Sequence, residues 1–182
     1  MNIAIGMIEL NSIAKGFEVC DAELKTSEVK LITSQSICPG KYIVFISGNV
    51  AEVNAAIANG IEAGDRYVVD TLVIPSAHED VFPALYATKN VGEIDALGVI
   101  ETFSVVASIF AADAAVKAAS VRLIEIRMAM GLGGKAFCAF TGNVADVKAA
   151  IKAGEEAIHD KAMHVCSVEI PRPHDFLKDE VL

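Results

Sequence analysis

The side chains best equipped for redox or metal chemistry are four cysteines, at positions 20, 38, 138 and 166. None forms a Cys-x-x-Cys pair, so spacing points neither to a zinc site within one chain nor to a disulfide framework. Cys38 stands apart from the others. It lies in Ser36-Ile37-Cys38-Pro39-Gly40-Lys41, where Pro-Gly breaks two apolar runs and marks a loop, and loops concentrate function. Its plain reading is a free loop thiol. Its chemical reading is a metal thiolate, because Pro is a common neighbour of cluster-ligating cysteines. Cys20 and Cys138 fall within apolar patterns and Cys166 within a strand pattern. These three read as small buried hydrophobes.

Other groups are less productive. Gly131-Leu132-Gly133-Gly134-Lys135 invites a phosphate-loop reading, but a Walker loop needs Gly at 129, which is Ala129. A dinucleotide fingerprint needs a helix directly afterwards, and Ala136–Thr141 reads as a strand. The glycines are better read as allowing a close approach of the backbone. Four histidines have no nucleophile or base at readable spacing, and His78 and His174 follow Pro75 and Pro171 as an architectural loop contact. Glu9 and Glu101 occupy equivalent strand positions, which points to architecture rather than to one active site. An enzyme is not expected.

Composition narrows the classes further. The chain has 182 residues, 53% of them apolar, and 15 Lys+Arg against 24 Asp+Glu give a formal charge of −9. Mean hydropathy is +0.47. Disorder is excluded by that apolar content, and nucleic-acid binding by the lack of any basic stripe. A membrane span needs about 20 mostly apolar residues, whereas the run from Thr102 to Ala112 is bracketed by Glu101 and Asp113. The first residues lack a positive n-region and reach Glu9 too soon for a signal peptide. A soluble cytosolic protein with free thiols is expected, its surplus apolar surface buried between chains.

The elements that position these residues are written twice. Ala4-Ile-Gly-Met-Ile-Glu9 returns as Ala96-Leu-Gly-Val-Ile-Glu101, and Asp21-Ala-Glu-Leu-Lys25 as Asp113-Ala-Ala-Val-Lys117, both 92 positions on. The segment from Gly48 to Gly60 matches Gly142 to Gly154 at nine of 13 positions, now 94 on. Ile74-Pro75-Ser76-Ala77-His78 matches Ile170-Pro171-Arg172-Pro173-His174 at 96 on. One domain has been duplicated in tandem, too long a repeat for a solenoid unit.

Each copy has the same reading. Ala4–Leu10 is a buried strand. Ile13, Phe17, Cys20 and Leu24 form one helical face after Ser12 as N-cap, repeated by Val105, Ile109, Ala112 and Val116 after Ser104. Val29–Ser36 and Lys41–Ser47 are strands. Val50, Val53, Ile57 and Ile61 mark a second helix, capped by Asn49 and interrupted at Gly60, and Val68–Ile74 is the last strand. The order β-α-β-β-α-β is the split βαβ arrangement of ferredoxin-like α+β folds, with helices on one face of an antiparallel sheet.

The Gly-x-Ile-Glu strand, the Asp-x-x-x-Lys of the first helix, the Gly-Asn-Val opening the second and the Pro171-Arg172-Pro173-His174 ending resemble the shell-protein domain of bacterial microcompartments. The resemblance runs from Ala4 to about Phe176. It implies two shell domains in unpermuted order, 1–92 and 93–182 with a C-terminal tail, in the tandem class whose homotrimers mimic a hexagonal tile. The segment from Ser36 to Lys41 is similar to a loop of the T-type shell proteins of propanediol utilisation. That likeness implies a [4Fe–4S] cluster on the threefold axis, one Cys38 from each subunit, for electron transfer or cluster transport across the shell. Zinc held by three cysteines is the chemical competitor.

The same resemblance implies a pore loop of Ser36, Ile37, Pro39 and Gly40, and in the second copy Gly131, Leu132, Gly133 and Gly134. Because the second loop lacks Cys, only three of six central loops can supply a ligand. Lys25 and Lys117 fall at the tile edge with Arg172 as partner, and the first copy departs by having Ser76 and Ala77 where the second has Arg172 and Pro173. Implied partners are neighbouring shell proteins and an encapsulated or cytosolic redox enzyme, in the bacterial cytoplasm within the shell. Two alternatives stay open: a tile with a plain metabolite pore lined by Cys38, and a tandem ferredoxin-like regulator binding a small effector.

Overall fold

The computed structural model describes residues 3–88 and 92–181. In the first copy the order is β1 (Ala4–Leu10), α1 (Ile13–Thr26), β2 (Lys30–Ile37), β3 (Lys41–Gly48), α2 (Val50–Gly64) and β4 (Val68–Ile74). Every residue of β1 is buried, and β1 is an inner strand of the antiparallel sheet β2-β3-β1-β4, paired on both edges. The Ser12 hydroxyl accepts from the Lys15 N–H at 3.3 Å and starts α1, satisfying one of the donors that a helix N-terminus leaves open. The Glu52 carboxylate reaches back to the Asn49 N–H at 3.3 Å to begin α2.

One expectation needs correcting here: α2 runs through Gly60 without interruption. Gly60 is a crossing point. A Cβ there would stand 2.7 Å from Ile8 Cδ1 and 2.8 Å from Glu23 Oε1, so its lack of a side chain lets α1 and α2 close over β1. The core beneath them joins Ile8, Leu10 and Val19 to Tyr42, Val44, Val53 and Ile57, each buried side chain worth about 1.5–3 kcal/mol.

The second copy repeats the order as β5 (Ala96–Thr102), α4 (Val105–Ala118), β6 (Arg122–Arg127), β7 (Ala136–Gly142), α5 (Val144–Ile158) and β8 (His164–Pro171), in a sheet β6-β7-β5-β8. Even the irregularities recur. Register shifts fall between Glu9 and Leu10 and between Leu31 and Thr33, and again between Glu101 and Thr102 and between Leu123 and Glu125. Two further short helices were not expected: α3 (Val81–Leu85), and α6 (Asp175–Val181) after β8. Two compact units result, Met1–Ala77 with Ala129–Gly134, and His78–Met128 with Lys135–Leu182. The segment carrying α3 thus groups with the second unit, where α3 packs on β6 and α4.

Candidate functional site

Cys38 sits where β2 turns into β3. The Gly40 N–H donates to the Ile37 C=O at 3.0 Å and closes the turn, with a cis peptide between Cys38 and Pro39. Gly40 has φ +88°, a left-handed conformation that an L side chain rarely adopts. The turn leaves the Cys38 thiol part-buried, and the Cys38 N–H donates to the Ala129 C=O at 3.0 Å. The loop Ala129–Gly134 belongs to the same compact unit as Cys38. A Cβ on Gly134 would lie 2.7 Å from Pro39 Cδ, so close approach through this loop is realised at Gly134. At Gly131 and Gly133 nothing crowds a Cβ, and positive φ is what requires glycine there.

Both copies carry one ionic device behind these loops that sequence reading missed. Gly40 and Gly134 (φ +87°) each stand directly before a lysine. Lys41 Nζ lies 2.8 Å from Glu9 Oε1, and Lys135 Nζ 2.7 Å from Glu101 Oε1. The signal was present as Gly-Lys at 40–41 and 134–135 beside the duplicated Glu. The pairs tie the start of β3 to β1 and the start of β7 to β5. Their lysines are therefore engaged next to the loops rather than free to hold an anion.

Among the described residues, no group of three or more His, Cys, Asp or Glu side chains within one chain could hold a metal ion. Cys38 offers a single part-exposed thiol. The donor set fits a thiolate-bound metal centre only where several chains each contribute one Cys38.

The residues expected at an edge are unlike one another. Lys25 pairs with Asp21 at 2.6 Å on the exposed end of α1, whereas Lys117 pairs with Asp113, a buried carboxylate on α4. Asp113 Oδ1 also accepts the His78 N–H at 2.8 Å. Arg172 is exposed with φ +48°, its N–H donating to the Asp95 C=O. The two matching histidines order their own turns: His78 Nδ1 accepts the Asp80 N–H at 3.2 Å and His174 Nδ1 the Phe176 N–H at 3.3 Å.

The remaining cysteines divide. Cys138 is buried on β7, and burial pushes its thiol up to about 12; Cys20 is part-buried. Cys166 is exposed, against expectation, because β8 is an edge strand on which alternate positions face outward. Glu23 was not singled out from the sequence, yet its carboxylate is buried without a hydrogen-bond partner and its pKa is pushed up to about 8 by desolvation.

Comparison with known proteins gives the class first. BMC domains match residues 4–77 and 96–173, so the chain is two fused copies of one α+β shell domain. It is 44% identical over 175 residues to the bacterial microcompartment shell protein PduT of Citrobacter freundii, spanning 96% of this chain and 95% of that one. A crystal structure of a microcompartment protein from Desulfitobacterium hafniense DCB superposes with TM-score 0.87 at 44% identity, covering 98% of this chain and 99% of the other. Carboxysome shell protein CsoS1 of Prochlorococcus marinus is 35% identical over 98 residues, which is 52% of this chain and 95% of the relative. The chain belongs to the BMC-domain family of bacterial microcompartment shell proteins, as a tandem-domain member. Its place is the microcompartment shell, and among the described residues no helix is long and apolar enough to cross a membrane.

Proposed function

We propose that three copies of this chain close a ring of six BMC domains, and that their three Cys38 thiolates meet at its centre to hold a [4Fe–4S] cluster. The observation that carries this reading is the Cys38 turn itself: a part-exposed thiol on a tight Pro-Gly turn, in one copy of a duplicated fold. Such a cluster supplies one-electron chemistry to a tile that is otherwise structural and carries out no catalysis of its own. Cys38 ligates, and Gly40 and Gly134 set the backbone that brings the two loop types together. The Cys38 N–H already donates to Ala129, so the charge at the sulfur is tuned by other N–H groups and by solvent access. Exchange of electrons, or of the cluster, with a redox enzyme across the shell follows from that position. Lys25, Lys117 and Arg172 form the rim that meets neighbouring shell proteins.

The test is anaerobic purification with light scattering and iron and zinc analysis. Iron bound per trimer, with broad absorbance in the visible, supports the reading. A metal-free trimer leaves a tile with a plain pore lined by Cys38.

A further inference from the structure

Resting on that ring of three copies, we infer that the C-terminal turn and helix of each chain, from His174 onward, dock on the α1–β2 face of the next chain, with the His174 N–H donating to that chain's Asp21 carboxylate. The duplication supplies the argument. After the first copy, the chain turns at His78 and lays α3 against α4 and β6. The His78 N–H is fixed on Asp113, and Val81, Ala84 and Leu85 are buried. The segment after the second copy has the same local geometry 96 positions on. Leu177 N–H donates to the His174 C=O at 2.9 Å as Val81 N–H does to the His78 C=O at 3.1 Å. Each histidine Nδ1 also takes the N–H two residues on.

What this second turn lacks is its receiving face, and the first copy has that face uncovered. Ile13, Phe17 and Leu24 on α1 and Leu31 on β2 are 43%, 65%, 41% and 43% exposed. Their counterparts Val105, Ile109, Val116 and Leu123 are 0%, 0%, 8% and 0% exposed. Asp21 holds Lys25 with Oδ2, as Asp113 holds Lys117, but has no second donor among the described residues. The tail in turn presents Phe176 at 79% and Leu177 at 36% exposure. An uncovered apolar face with an acceptor and an uncovered apolar turn with a donor complete each other between copies. Lys117 remains part-exposed beside the docked His78 turn, so the same docking on Asp21 leaves Lys25 able to reach an edge.

The experiment places p-benzoylphenylalanine at position 176 of the full chain, mixes it with isotope-labelled chain lacking the probe, and maps photoadducts by mass spectrometry beside light scattering of the unmodified protein. The expected result is a trimer with adducts from one chain to residues 13–31 of the other. A chain truncated after Pro173 should need about tenfold or more higher concentration to stay trimeric. A trimer whose adducts lie only within their own chain, or on other surfaces, overturns the docking and leaves the ring. A monomeric wild type overturns both.

Discussion

The two copies share strand order, register shifts and the Lys–Glu pair behind each loop, yet they bury their first helices differently. Only Gly16, Val19 and Glu23 are buried on the 14-residue α1, whereas ten of the 14 residues of α4 are. The interior compensates as well. Gly16 makes room for Tyr42 in the first copy, and Ser108 and Ala136 stand at the matching positions of the second. No cysteine is duplicated, and Cys38 is the one at a loop tip. The duplicated scaffold thus carries different loops in its two copies: one bears the thiol, the other the glycine loop beside it. One leaves an apolar face exposed on α1 and β2, and the other has the matching face covered by α3 of the same chain.

The largest effect should come from the loop that differs most. If three Cys38 thiolates share one cluster, as proposed, Cys38→Ser should abolish bound iron in one step rather than reduce it by a third. The trimer should persist, since its domains do not fold around a metal. Full iron occupancy in this variant would falsify the cluster. Next, replacing Lys25 and Lys117 together by Glu should leave trimers but stop their extension into sheets, scored by electron microscopy, because each small repulsion recurs at every border. Normal sheets would remove both lysines from the edge.

A buried carboxyl gives the third prediction. Glu23 is opposite Gly60, and its counterpart in the second copy is Ala115. Its folded pKa of about 8 lies above the ordinary 4.5. The protonated form is therefore accommodated, its contribution is full below about pH 4.5, and it is lost as pH rises through about 8. Glu23→Gln cannot ionise, so its stability relative to wild type should rise by a few kcal/mol between pH 5 and pH 8. Urea midpoints at the two pH values measure this, and parallel pH profiles would contradict the burial of the charge.

Smaller contrasts separate the copies directly. Lys117→Ala removes the partner of a buried Asp and should cost about 1–2 kcal/mol, whereas Lys25→Ala breaks an exposed pair and should stay within about 0.5 kcal/mol. Equal losses in denaturant titrations would erase the distinction drawn between the two faces. The same logic applies to the cysteines. Cys138→Ala should cost about 1–2 kcal/mol, and the exposed Cys166→Ala less than about 0.5 kcal/mol, with iron retained in both.

Strand and helix order, both N-cap serines, the duplication and the loop position of Cys38 were legible in the sequence, because apolar period, capping side chains and Pro-Gly breaks are local signals. The β1 run from Ala4 to Leu10 and the β4 run from Val68 to Ile74 fall at the bounds that periodicity gives them. Gly60 misled for the same reason: local propensity makes it a break, while its contact with Ile8 and Glu23 belongs to the crossing of two helices. The exposure of Cys166 depends on which strand lies at the sheet edge, a matter of topology rather than pattern. Only tertiary structure paired Glu9 with Lys41, placed Ala129–Gly134 beside Cys38, and set the His78 turn on Asp113. Each joins groups tens of residues apart, and such pairings arise from how the sheet and helices pack, which spacing along one chain does not encode.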